Sequence, residues 1–152
     1  MHKIISILLC SLLPAGAIAL EVKLDLEITN GLKPLLVMRT NLPPKTELMA
    51  SLLHPINRGG NGYIGQKNAS VGNDGTLKFG PFTNQEGKPV LPGTYRVVIT
   101  SGMMTGQPSS VQKILGSHGE NISGDGVKSL PVIQGVSNLG NAINMDFWTE
   151  IR

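Results

Sequence analysis

Cysteine is nearly missing from this chain: Cys10 is the only one in 152 residues. A disulfide-stapled scaffold is therefore excluded. Charge is also scarce, at 15% of residues against about 25% in an ordinary globular chain. That argues against a highly charged disordered polymer and against a coiled coil, which is dense in Glu and Lys. Aromatic residues make up 4%. The basic residues stand singly and are not interleaved with aromatics, so the clustered basic face of a nucleic-acid binder is absent. What is plentiful is Gly (19) and Pro (10), beside a hydrophobic share of 40%. Turn formers mixed with aliphatics predict short strands joined by many turns.

The first nineteen residues read as an address. Met1-His2-Lys3 is a short basic start, and Ile4 to Leu13 is an apolar run broken only by Ser6, Cys10 and Ser11. Pro14-Ala15-Gly16-Ala17-Ile18-Ala19 then presents small residues for a cut after Ala19. This order is that of a secretory signal peptide, and the run is too short to span a bilayer, which takes about 20 residues. Leu9 stands where a lipoprotein signal wants a small residue before Cys10. The expected mature chain is residues 20–152, one domain, periplasmic or secreted. It has no cysteine and a formal charge of +2 once Lys3 is gone. Thiol nucleophiles and thiolate metal sites leave with the signal.

The mature start alternates without a fault: Leu20, Val22, Leu24, Leu26 and Ile28 between Glu21, Lys23, Asp25 and Glu27. Period two predicts a strand with one buried face. Further strands are predicted over 35–39, 47–53, 63–71, 76–79, 94–100, 130–136 and 143–151. Asn73-Asp74-Gly75 reads as a hairpin turn between the strands over 63–71 and 76–79. Tyr95, Val97 and Ile99 share one face of their strand, and Phe147 and Trp148 take opposite faces. One stretch departs from the rhythm. Pro108 to Gly116 has Val111, Ile114 and Leu115 at helical spacing, with Pro at its start and Gly at its end, which bounds a short helix. Ser109 and Ser110 read as its capping residues.

Seven or eight short antiparallel strands and one short helix predict an all-β fold, a two-sheet sandwich, with a small closed barrel as the alternative. The run Leu91-Pro92-Gly93-Thr94-Tyr95-Arg96-Val97 resembles the corner of cysteine-free bacterial immunoglobulin-like and prealbumin-like β-sandwiches. The resemblance implies that Pro92 and Gly93 make the corner and that Tyr95 enters the next strand. It implies an architecture and no activity.

Candidate chemistry is thin. His54, His118 and Glu120 are the only zinc-type set, and they need the fold to gather them. Glu120, Asn121, Ser123 and Asp125 place oxygen side chains at near-alternate positions, as a calcium loop would, but lack the EF-hand pattern; turn formation explains the same residues. No Gly-x-Ser-x-Gly elbow, phosphate-cradling loop or dinucleotide fingerprint occurs. The expectation is no enzyme, no metal and no cofactor. Tyr63, Ser70 and Trp148 are the candidate partner- or ligand-binding residues: Ser70 on a polar edge strand, Tyr63 and Trp148 as aromatic platforms. The predicted function is a non-catalytic accessory protein that docks another envelope or secreted protein, with no nucleic acid and no membrane segment after cleavage. Two alternatives stand beside it: a structural or adhesive subunit donating Leu20–Ile28 to a neighbour, and a module for a small ligand, a glycan or calcium.

Overall fold

The computed structural model describes residues 18–29, 31–54, 64–84, 86–131 and 139–152, with Ile64 described by its backbone alone. The chain is mostly β. Ten strands occur among the described residues: β1 (Leu20–Glu21), β2 (Leu24–Ile28), β3 (Leu36–Thr40), β4 (Glu47–Leu53), β5 (Ile64–Ser70), β6 (Thr76–Phe79), β7 (Gly93–Thr100), β8 (Ile122–Ser123), β9 (Val127–Ser129) and β10 (Asn141–Ile151). A 3-10 turn (Met104–Gly106) and helix α1 (Ser109–Leu115) lie between β7 and β8. A three-stranded sheet has the order β2-β3-β6 and a five-stranded sheet the order β5-β4-β7-β10-β9. Every pair within these two sheets is antiparallel, while β1 and β8 form a parallel pair.

The two sheets exist because the apolar positions of period-two segments must be covered. Leu36, Met38, Leu77 and Phe79 from one sheet and Leu48, Leu52, Tyr95, Val97 and Ile99 from the other join one buried cluster. Val111 and Leu115 of α1 and the loop residue Phe82 enter the same cluster. Burying an aliphatic or aromatic side chain of this size contributes about 1.5–3 kcal/mol. With so few aromatics, that stabilisation is largely aliphatic.

Three expectations change. The alternating start is not one strand: β1 pairs with β8, and β2 pairs with β3. The break falls at Val22-Lys23, where the Lys23 amide donates to Asn41 Oδ1 (2.8 Å) and Asn41 Nδ2 donates to the Glu21 carbonyl (2.8 Å). One side-chain amide thus replaces the missing ladder bonds, and Val22 still faces inward, 6% exposed. The Asn73-Asp74-Gly75 turn is not a hairpin either. It carries the chain from β5 in the five-stranded sheet to β6 in the three-stranded one. Asp74 Oδ1 accepts from the Thr76 amide (3.0 Å) and from the Thr76 hydroxyl (2.8 Å), so a local turn forms, but its two arms find different partners. Both arms keep an anchor in the core, Val71 and Leu77. Among the described residues the strands number ten instead of seven or eight, because the alternating start divides into β1 and β2 and because β8 and β9 are too short to show a period.

The helix occupies the expected span, but Ser109 and Ser110 do not cap it. Pro108 is the cap residue and no side chain caps the first turn. Its carbonyl instead accepts from the Val111 (2.9 Å) and Gln112 (3.0 Å) amides. The strand expected over 130–136 lies almost wholly outside the described residues, as does Tyr63.

Candidate functional site

One of the two outer strands of the five-stranded sheet is β5, which pairs with β4 on one side. The Val71 amide donates to the Thr46 carbonyl (2.9 Å), and the Val71 carbonyl accepts from the Lys45 amide (2.8 Å). Val71 therefore turns its backbone groups toward β4. Alternation in an antiparallel ladder gives Ala69, Lys67 and Gly65 the same direction. Gln66, Asn68 and Ser70 then point their N–H and C=O groups away from the sheet. Among the described residues no strand pairs with that side. The side chains of Gln66, Asn68 and Ser70 are exposed.

A shallow groove of about 710 Å³ opens beside this edge. Met49, Asn68, Ser70, Thr100, Ser101 and Met103 are among its lining residues. Its far wall is the segment after β7, held down by Gln107, which is 6% exposed. Gln107 Oε1 accepts from the Glu47 amide (2.8 Å), while its Nε2 donates to the carbonyls of Glu47 (2.8 Å) and Ser101 (3.0 Å). The side-chain amide pairs with β4 much as a peptide group would. Met104 is buried beneath that wall, and Met103 projects outward, 53% exposed.

Trp148 lies on the outer face of the same sheet, 58% exposed, opposite Arg96 across the β10–β7 ladder. Arg96 is held by a fork to Asp146: Nε to Oδ1 at 2.8 Å and a guanidinium NH2 to Oδ2 at 2.5 Å. The hydrogen-bonded guanidinium keeps the Asp146 carboxyl below its usual range, and the Asp146 carboxylate in turn pushes the Arg96 guanidinium up. Phe147 turns the other way and packs against the core.

The oxygen-bearing loop after α1 is engaged in closing itself. The Glu120 carboxyl is held below its usual range by backbone N–H donors, its own and that of His118, the latter at 2.8 Å. Asn121 Nδ2 donates to the Ile114 carbonyl (3.3 Å). Of the two histidines, His54 meets Tyr95 edge to face, with ring centres 4.8 Å apart, and His118 Nδ1 contacts Ser117 Oγ at 3.1 Å. Among the described residues no group of three His, Cys, Asp or Glu is placed to hold a metal ion. The structure thus puts Ser70 on the edge and in the groove, Trp148 on the open face, and Glu120 and Asn121 in loop closure. It does not gather His54, His118 and Glu120 into one set.

Gln107, Met103 and the Arg96–Asp146 pair were not foreseen. Arg96 and Asp146 are fifty residues apart, and only the register of β7 on β10 brings them together. A faint signal existed: both sit on the outer face of an alternating strand. No protein-family model matches the chain, and no curated protein or solved structure is significantly similar to it.

Proposed function

We propose that the chain is a non-catalytic accessory protein of the bacterial envelope, periplasmic or secreted, that binds another protein through the free edge of β5. The observation that carries this reading is the outward row of backbone groups at Gln66, Asn68 and Ser70. Such a row accepts an added strand, with main-chain hydrogen bonds supplying affinity and an adjoining pocket supplying selectivity. The groove under Ser70 and Met103 is that pocket. No helix among the described residues is long and apolar enough to cross a membrane. An immunoglobulin-like sandwich is the architecture we propose for the domain. The sheet orders β2-β3-β6 and β5-β4-β7-β10 support it, as does Tyr95 at the start of β7, whose hydroxyl bonds back to a carbonyl just upstream, as in a tyrosine corner.

The test compares wild type with Ser70→Pro as baits in an envelope extract. Proline at position 70 removes an outward N–H and leaves the β4 ladder untouched. The expected result is loss of the captured protein from the variant, with its far-UV spectrum unchanged. Equal capture by both baits would sink the edge-docking function.

A glycan-binding reading has one observation in its favour, the exposed indole of Trp148 on an open sheet face, where it could stack on a sugar ring. It predicts a thermal shift with some member of a sugar panel that Trp148→Ala abolishes. The donor-strand alternative is less well supported, since β2 is already paired within its own chain.

A further inference from the structure

We infer that β5 also receives the edge strand β2 of a second copy of this chain, in a head-to-tail contact. This rests on the reading of β5 as a docking edge and adds a partner of defined chemistry. The register partner of Lys67 is Ala50, which is fully buried, so Lys67 lies on the core-facing side of β5, yet at the edge it is exposed. All ten Asp and Glu residues of the chain are among the described residues. None makes an ion pair with Lys67.

The complementary edge is β2, an outer strand of the three-stranded sheet that no described strand pairs on its far side. The Thr29 amide donates to the Leu35 carbonyl at 2.9 Å, which directs Thr29 toward β3. By alternation the backbone groups of Leu26 and Ile28 point away. Between them Glu27 is exposed and faces Val37 across the ladder, with no cation opposite; Asp25 faces Arg39. Among the described residues one molecule therefore carries an open edge with an unmatched cation and another with an unmatched anion. Opposite charges directly across a strand pair stabilise it and like charges oppose it. Because the two edges are different surfaces, the contact is heterologous and extends into chains unless it closes on itself. A lone lysine on an edge strand also has a simpler use, preventing edge-to-edge pairing. The two roles predict opposite results when its charge is removed: neutralising a guard lysine strengthens edge pairing, whereas neutralising a docking lysine weakens it.

The experiment is sedimentation velocity at low salt, where exposed charges are least screened, over a range of protein concentrations. Wild type should show a mean mass that rises with concentration above that of one chain. Lys67→Glu and Glu27→Lys, both exposed substitutions, should each weaken self-association about tenfold by opposing like charges. Lys67→Gln should fall between. An equimolar mixture of Lys67→Glu with Glu27→Lys should associate again, because each variant's β5 then meets a β2 of opposite charge. The inference is overturned if wild type stays a single chain throughout, if Lys67→Gln or Lys67→Glu associates more than wild type, or if mixing restores nothing. A single-chain wild type whose Ser70→Pro variant still loses an envelope partner would sink self-docking alone. Rescue by mixing, with undiminished envelope capture by Ser70→Pro, would instead sink only the accessory role.

Discussion

The hydroxyl of Tyr95 donates a 2.7 Å hydrogen bond to the carbonyl of Leu91, four residues upstream. Tyr95 is 1% exposed while Leu91 is 74% exposed, so one side chain ties the entering loop to the start of β7 from inside the core. His54 packs against the same ring. Tyr95→Phe keeps the packing and drops the bond, and should cost about 1 kcal/mol in urea unfolding. Tyr95→Ala also opens a cavity and should cost about 3–5 kcal/mol. A Tyr95→Phe variant as stable as wild type would show that the hydroxyl does not anchor the loop.

Gln107 should be more sensitive than its polarity suggests. Gln107→Ala orphans the Glu47 amide and leaves two carbonyls short of a donor. About 2 kcal/mol of stability should be lost. Amide hydrogen exchange at Glu47 should rise in step, and a protected Glu47 amide in the variant would contradict this account of the clamp.

The response to acid follows from three carboxyls. Asp74, held low by hydrogen bonds from Thr76, Glu120, held low by backbone N–H groups, and Asp146, held low by Arg96, all bind protons less readily when folded. Their contribution is present above the unfolded carboxylate range, about 3.9 for Asp and 4.3 for Glu. It disappears as pH falls through the lower folded values. Wild-type stability should therefore decline below pH about 4. The triple variant Asp74→Asn, Glu120→Gln, Asp146→Asn should decline less steeply, as read by thermal melts across that window. Parallel slopes would rule these groups out as its source.

Two glycines separate backbone strain from steric collision. Gly87 and Gly140 both have positive φ, 74° and 77°. A Cβ at Gly87 meets nothing within 4 Å, whereas one at Gly140 runs into the His118 carbonyl. Gly87→Ala should cost only the left-handed conformation, about 1 kcal/mol. Gly140→Ala must also shift backbone beneath β10 and should cost at least about 2 kcal/mol more than that. Denaturant midpoints of the two variants give the comparison.

How far the fold could be read from sequence varied with the origin of the signal. The spans of β4, β7 and α1 were legible because period two and Pro/Gly punctuation are written locally at Glu47–Leu53, Thr94–Thr100 and Pro108–Gly116. The sheet switch at Val22-Lys23 was not, because the alternation of buried residues runs straight through it and only the Asn41 amide marks the break. The turn at Asp74 was legible as a turn but not as a crossing between sheets. Its local hydrogen bonds look the same in both cases. Ser70 was placed on an edge by its polar, glycine-flanked strand, whereas the groove beside it depends on Gln107, sixty residues from its partner Glu47.

By itself the sequence determined which residues turn inward, where the chain bends, and that the core must be aliphatic and free of bridges. Each of these is set by neighbours along the chain, through side-chain periodicity and the backbone limits of Gly and Pro. Tertiary structure alone decided which strand pairs with which, and therefore which edges stay open. It also seated Arg96 on Asp146, built the wall behind Ser70, and turned Glu120 and Asn121 into loop closure. Those outcomes depend on register between segments far apart in sequence, where any strand's backbone can pair with any other's. Only the joint burial of both sheets selects among the pairings.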